Sequence, residues 1–590
     1  MRLRGFKAGL LGLAVITSPL SAADLAEIST LARGGATGLA LELMDRHQPP
    51  LAEDPVTWIR WERERVFLYR SRQQWAAMDA RVAAYPEHAP VEFSRWARTQ
   101  QAQALLALGD DVKARQVLRG LIWQDNAPSG ERLREWRRLV LESQVEAGNA
   151  DAARTALRRF RQDYGDDSGE TRVIEARLYL QQGQGSEALR ALDGLPENQY
   201  RPLRLLARLQ ADQGNAGRVL SAAIELGFDE DAAIADRRMA WSVAVRAADV
   251  TGNRSARVGA LERGLAYRGG ELRADPVFQL MPEMLWSAYE AFGRQLGNEA
   301  RILVGDDPMW FEHADDFLAS EPVKGRAMLA VIALHSFERD ARQRAHGLLT
   351  DSLANQRHGP ALIRRLYLDS DRFPEIDAIP LPVRYRLADM ALAEADIPLA
   401  SRLMSALTEA PAGADPEEWG LRRARVLLLG GQREEGLLAL EGVLLEAEDE
   451  LNVGRFLQVI FDLQNMNDHE AAMDFLRRLQ ALDLEGQQRR EILFWAAESA
   501  EGLNDPLEAA RLYLRSAGFH DPFSMDQWAQ TARYRAADAL AEAGLAADAR
   551  RLYQSLLNAT DDEARRSVLR NRIQRLQTRP LDGQRERPEP

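Results

Sequence analysis

A turn of one design returns fourteen times along this 590-residue chain. A helix-like stretch ends at a small or polar residue, four residues follow, and a second small residue opens another helix-like stretch. ALGDDVKARQVL sets Gly109 five before Ala114, EAGNADAARTAL sets Gly148 five before Ala153, and QQGQGSEALRAL sets Gly183 five before Ala188. The same spacing holds in GGQREEGLLAL (Gly431, Gly436), NMNDHEAAMDFL (Asn467, Ala472), GLNDPLEAARLY (Asn504, Ala509) and EAGLAADARRLY (Gly544, Ala549). Weaker copies stand at Gly35/Ala40, Ser71/Ala76, Gly214/Val219, Gly252/Arg257, Gly297, Ser336/Ala341 and Ala395/Ala400. Ten of the thirteen intervals between successive turns are 35 to 40 residues, a regularity that chance turns do not produce.

Each position has a physical reason. Glycine ends the first helix because it takes a left-handed backbone without a side-chain clash. An Asp or Asn just beyond it caps the next helix by accepting hydrogen bonds from free amides. The alanine one turn into the second helix lets two helix backbones approach. Ala153, Ala156, Leu157 and Phe160 make one apolar face after such a turn, and no segment alternates in the manner of a strand. The unit is a helical hairpin with helices of roughly 13 residues, about 20 Å long at the usual rise. One hairpin cannot bury its own face, so neighbours must stack into a solenoid.

Units of this length with a Gly-x-x-x-x-Ala turn resemble tetratricopeptide repeats or the looser α-helical repeats related to them. The similarity covers most of residues 25–577. Trp136, Trp241, Trp286 and Trp419, each eleven or twelve before its turn, match the family's tryptophan. Pro50, Pro86, Pro196 and Pro411 match its closing proline. The resemblance implies an all-α fold, a right-handed superhelical α-solenoid of about fourteen helical hairpins. It also implies protein–protein interaction as the chain's work.

Two places break the rhythm. Residues 265–325 hold a 45-residue interval, and 355–384 hold a 59-residue interval with Pro374, Pro380 and Pro382. The second reads as an extra helix around Ala361–Leu368 followed by an extended connection. Two readings stand: a joint at 355–382 between solenoid blocks 24–354 and 383–577, or a long loop within one solenoid. The tail 578–590 is polar, Pro-rich and reads as disordered.

The first 23 residues have the layout of a cleavable signal peptide. Arg2, Arg4 and Lys7 precede an apolar core at Leu10–Ile16, Pro19 breaks it, and Ser21 and Ala23 stand three and one before Asp24. That core is well short of the roughly 20 residues a membrane span needs. The expectation is export to the periplasm and no integral membrane segment in the mature chain. Without residues 1–23 the balance is 73 basic against 89 acidic side chains, a charge of −16. Such a charge argues against nucleic acid and anionic lipid as partners. The chain has no cysteine, which removes disulfides, thiolate metal sites, catalytic thiols and a lipobox.

No motif for chemistry stands out. The eight histidines form no His-Glu-x-x-His pair, and neither a Gly-x-Ser-x-Gly elbow nor a Gly-Lys-Ser/Thr phosphate loop is present. Gly183-Gln-Gly185-Ser-Glu-Ala188 matches a dinucleotide fingerprint in spelling, but a helix precedes it where a strand is required. Glu498-Ser499 matches the first motif of the solenoid-bearing lytic transglycosylases, whose second motif, Gly-Leu-Met-Gln, is missing. The expectation is a protein without enzymatic activity, cofactor or metal.

Six of the twelve tryptophans lie in the first 136 residues, interleaved with arginine. With Ser71 as the turn, Trp58, Trp61 and Arg65 would line the groove of a tetratricopeptide-like fold, and Trp96 would repeat Trp58 one unit on. Such a groove suits an extended acidic peptide or an anionic glycan. The other reading has the rings fill gaps between helices with arginine stems along their edges; a one-residue shift of the turn sends Trp61 into the core. The leading expectation is a periplasmic scaffold for a protein or peptide partner in the cell envelope. The alternatives are an accessory scaffold for envelope export or surface-polysaccharide assembly and, third, a cell-wall enzyme.

Overall fold

The computed structural model describes residues 25–124, 130–165, 168–267, 275–297, 301–302, 304–446 and 451–578. The expected signal segment lies outside these residues, as does the expected tail from 579 on. Among the described residues there are thirty α-helices, two short 3-10 turns and no strand. The first seven hairpins pair Leu25–Arg33 with Thr37–His47 (α1, α2), Pro55–Ser71 with Trp75–Ala83 (α3, α4) and Val91–Leu108 with Asp111–Gln124 (α5, α6). Gly130–Glu146 pairs with Ala150–Tyr164 (α7, α8), Gly169–Gln181 with Gly185–Leu192 (α9, α10), and Arg201–Ala211 with Ala216–Phe228 (α11, α12). Ile234–Thr251 and Arg254–Leu265 (α13, α14) complete the series. This is a tetratricopeptide-like α-solenoid.

Twelve of the fourteen sequence turns fall between consecutive helices, Ser71 ends a helix, and Gly297 follows directly on Pro282–Leu296 (α15). Gly109 and Gly148 have φ of 81° and 69°, the left-handed conformation that suits glycine. Ala114, Ala153, Ala188, Ala472, Ala509 and Ala549, each five residues past a turn, are all 0% exposed. Capping follows the sequence too: the Asn149 side chain accepts from the Ala152 amide at 3.3 Å, and Asp505 from Glu508 at 3.1 Å. Successive first helices pack on one another from α3 through α13. Gln181 on α9 donates to the Val145 carbonyl on α7, and Gln210 on α11 repeats that bond to Leu180 on α9 at 2.9 Å.

One turn is corrected. Ser71 is the last residue of α3, and the left-handed residue is Gln73, φ 56°. Five residues beyond it is Met78, 0% exposed, in place of the small residue that made Ser71/Ala76 resemble a turn.

By contacts the chain forms two compact units. The first is the chain up to His335 together with Ser352–Ser370; the second is Ser336–Asp351 with the chain from Asp371 on. In the first unit the hairpin series changes after α14, as the atypical 265–325 stretch led us to expect. There α15 packs against α14 and against Pro322–His335 (α17), which follows Asp307–Ser320 (α16). The extra helix read near 361–368 is Gly359–Leu368, and it belongs to this unit: the Trp286 indole on α15 donates to the Leu366 carbonyl at 3.2 Å. A buried ion pair ties α14 to α17. Arg326 donates to both Glu262 oxygens at 2.8 and 2.6 Å, and the Tyr289 hydroxyl donates to Glu262 at 2.6 Å. Glu262 is 2% exposed and Arg326 4%, so the pair has almost no water to fall back on.

The second unit returns to regular hairpins. One core cluster runs from Leu421 to Ala539, with Phe456 against Phe475 and Phe494 against both Tyr513 and Trp528. No described helix is long and apolar enough to cross a membrane.

Candidate functional site

Three of the four residues expected to line a groove are inside the packing. Trp58, 7% exposed, meets Tyr85 and Phe93 edge-on with ring centres 5.5 and 5.1 Å apart. Trp61, 5% exposed, lies among Ile28, Ala40 and Met44. Arg65, 1% exposed, spends its guanidinium on Asp45 at 2.7 Å, Gln48 at 2.9 Å and Glu62 at 3.4 Å. Burial alone would raise the Glu62 carboxyl, but Arg81 and Arg65 outweigh it and hold it below the ordinary range. Trp96 alone stays half-buried, with Arg63 stacked 5.4 Å from its ring centre. The turn at Gln73 is the reason. It places Trp61 twelve before the turn, where Trp136 and Trp419 are buried too, and removes the equivalence of Trp58 with Trp96. Gap-filling rings edged by arginine are what this region holds.

The same register finds a different face. Arg177 and Arg246 each stand six residues before a left-handed glycine, Gly183 and Gly252. They sit on α9 and α13, first helices of their hairpins, and both reach a short segment that follows α14. Arg177 donates to the Asp275 carboxylate at 2.9 Å and pairs with Glu146 of α7 at 3.1 Å. Arg246 donates to the Val277 carbonyl. The other Asp275 oxygen accepts from the amides of Val277 and Phe278 at 2.8 and 3.1 Å, folding the segment into a tight turn.

Apolar contacts complete the seat. Val277 is 1% exposed, Phe278 7% and Leu280 3%. A Cβ on Gly148, at the α7–α8 turn, would come within 3.8 Å of Pro276. A Cβ on Gly264 of α14 would come within 2.4 Å of Leu280 Cδ1 and 3.1 Å of Trp241 Cβ, so the Leu280 side chain would have to shift. The α7–α8 turn, α9, α13 and α14 thus meet this segment. They hold a carboxylate, a backbone carbonyl and a run of apolar side chains of the same chain.

The charges at the seat perturb one another. Burial alone would raise the Asp275 carboxyl; Arg177 and the two amides outweigh it and hold it below its usual value. Burial pulls the Arg246 guanidinium down. Burial also lowers Arg238, two turns earlier on α13, and the nearby Arg365 adds to that. Arg238 is half-buried and has no hydrogen bond or ion pair among the described residues. Arg365 is occupied, donating to the Tyr267 carbonyl at 3.0 Å.

Sequence reasoning missed Arg177, Arg246 and Asp275. The common offset of the two arginines from their turns was available as a signal; the partnership with Asp275, 98 residues from Arg177, was not. Among the described residues no group of three or more His, Asp or Glu is placed to hold a metal ion.

No protein-family model matches this chain, and no curated protein does. Among solved structures it is similar to yeast Tom70, with 11% identity over 83% of this chain and 96% of that one, TM-score 0.22. It is also similar to the APC/C hetero-tetramer Cut9–Hcn1, with 11% identity over 93% and 95%, TM-score 0.26. A circular tandem repeat protein is 14% identical over 94% and 93%, TM-score 0.09.

Proposed function

We propose that this chain is an exported, non-enzymatic scaffold that holds a protein partner in the cell envelope on the inner face of its first unit. The observation that carries the reading is the seat around Asp275–Leu280, where side chains of α9 and α13 hold a segment by its carboxylate and its backbone. A stacked-hairpin face that grips its own chain this way has the chemistry to grip another. Export rests on the basic, apolar and small-residue layout of residues 1–23.

The test is a photo-crosslinking residue placed at Arg238, compared with one at Trp123, an exposed side chain on α6. The expected result is one discrete envelope protein captured at 238 and not at 123, with a purified chain whose mass lacks residues 1–23. Equal capture at both positions, or none at either, would sink the partner reading. A chain retaining Met1 in the cytoplasm would sink the export reading.

A further inference from the structure

We propose that the C-terminal end of the second unit is a dimer interface, at which Phe523 of one chain enters an apolar pocket beside the last described helix of a second copy. Nothing in it depends on export, on an envelope partner or on the seat at Asp275.

Phe523 is 87% exposed, in the link between Pro506–Ala517 and Gln527–Glu542. One exposed apolar side chain is ordinary on a protein surface; what sets this one apart is how firmly its loop is held. Arg533, 7% exposed, donates to the Pro522 carbonyl at 2.7 Å and to the Ser524 carbonyl. Arg490, 6% exposed, donates to the Ser516 carbonyl at 3.1 Å and to Asp526 at 2.8 Å. The Phe523 amide donates to Asp521 at 2.9 Å, and Gln530 donates to the Met525 carbonyl at 2.7 Å. Two buried guanidiniums thus fix a loop that leaves a phenylalanine ring in water. An anchor already held in place gives up little freedom on docking.

The receiving pocket adjoins this loop, because Gln530 also lines it. It has a volume of about 400 Å³ and lies among the start of Gln527–Glu542, the end of Ala546–Ala559 and the start of Glu563–Thr578. Leu556 and Leu569, each 5% exposed, line its inner part, and Val568, 51% exposed, its mouth. A benzene-sized ring fits a cavity of about 150 Å³, so one phenylalanine has room there. Phe523 is too exposed to occupy the pocket of its own chain.

Charge points to the same occupant. Asp521, two residues before Phe523, is exposed. Arg565, at the pocket, has a side chain 58% exposed and a long ion pair of 3.8 Å with Asp562. An acidic flank on the ring meets a basic flank on the pocket. Because ring and pocket adjoin at Gln530, a two-fold axis beside that residue allows each chain to give its ring and receive the other's. Such a contact closes on itself and does not grow into a filament.

Two rings in two pockets make a contact at the weak, transient end of interfaces, so sedimentation equilibrium of the full mature chain should span micromolar to millimolar concentrations. The expected result is a monomer–dimer equilibrium. Phe523→Ala and Val568→Arg should each raise its dissociation constant at least about tenfold, the effect of losing one buried aromatic ring. Both positions are exposed, so both variants should melt like the wild type. An equimolar mixture of the two variants pairs an intact ring with an intact pocket. It should dimerise more strongly than either variant alone and less strongly than the wild type. Arg565→Glu should weaken the dimer severalfold at low salt, with the loss shrinking as salt is added. A wild type that stays monomeric throughout the range overturns the proposal, as does a dimer that Phe523→Ala leaves unchanged. A mixture no stronger than its better member overturns the pairing of ring with pocket.

Discussion

The first helices of both units pair charges with their neighbours, but two arginines of the first unit also reach further. In the second unit, Pro416–Leu429 (α22) follows Leu381–Ala393 (α20) and Ile397–Ser405 (α21), and Arg422 of α22 pairs with Asp389 of α20 at 2.6 Å. The next first helix along, Val453–Asn465, supplies Asp462 to Arg425 of α22 and Arg455 to Glu418. Further on, Arg535 pairs with Glu498, and Arg572 with Asp538 at 3.6 Å. Charge there is settled between one hairpin and the next. In the first unit, Arg177 and Arg246 send their guanidiniums to residues 98 and 31 positions away on a separate segment. Charges in the second unit are matched hairpin to hairpin, whereas in the first unit a segment beyond α14 is needed to complete the match. On the scaffold reading proposed above, the first unit is where a partner is to be sought.

Truncating charges on both sides tests this contrast at its extremes. Arg326→Met in the first unit leaves Glu262, 2% exposed, without its counter-charge and should cost about 3–5 kcal/mol. Arg422→Ala in the second removes an arginine 44% exposed from an aspartate 60% exposed, and should cost about 1 kcal/mol or less, falling further in high salt. Urea unfolding, read by hydrogen exchange in each unit, measures both. If Arg326→Met destabilises the two units equally, they do not fold as separate bodies and the contrast between them loses its meaning.

The next effect in size concerns the tryptophans. Trp61→Ala should cost about 3–5 kcal/mol, as for a large core side chain, and Trp96→Ala clearly less, because Trp96 keeps a solvent side. Thermal unfolding of the two single variants decides the order; a reversed order would return Trp61 to the open face.

How much of this could be read from the sequence depended on the range of the interaction. Hairpins were legible because glycine at a left-handed turn, a cap beside it and a small residue five positions on are all local. Gly109/Ala114 and Gly544/Ala549 were read at their true positions for that reason. The register at the second hairpin slipped because Gln73 takes a left-handed conformation without being glycine or asparagine, and Met78 fills the slot where a small residue was sought. That two-residue error carried Trp58, Trp61 and Arg65 from the core to an imagined groove. The seat at Asp275 was illegible for another reason. Its parts come from α7, α9, α13 and the stretch after α14, and no local pattern links them, although the irregular 45-residue interval marked where the departure lies.

Acid should release the segment before it disturbs the hairpins. The Asp275 carboxyl is held below its unfolded value, so its contribution is fully present above the ordinary carboxylate pKa of about 3.9 and is lost as pH falls through its own lower value. Protection factors at 277–280, corrected for intrinsic exchange, should stay level from pH 7 to 5 and drop below pH 4. Asp275→Asn keeps the turn but gives up the charge on Arg177, and should lower protection at pH 7 by about 1 kcal/mol with no acid step left. An acid step of equal size in Asp275→Asn would assign it to other carboxylates and weaken the contrast between the units.

The smallest effect tests the register on which the whole comparison rests. Gln73, at φ 56°, pays for a left-handed backbone that glycine adopts freely. That strain is about 1–2 kcal/mol for an L-residue, and glycine's extra unfolded freedom takes back about 0.5–1 kcal/mol. Gln73→Gly should therefore stabilise the second hairpin by up to about 1 kcal/mol. Ser71→Gly, two residues earlier and inside α3, should instead destabilise it by a similar amount, as glycine does in a helix. The sign of these two changes matters more than their size. A gain at Ser71 and a loss at Gln73 would restore the other register, turn Trp58 and Trp61 outward, and move the search for a ligand back to the N-terminal hairpins.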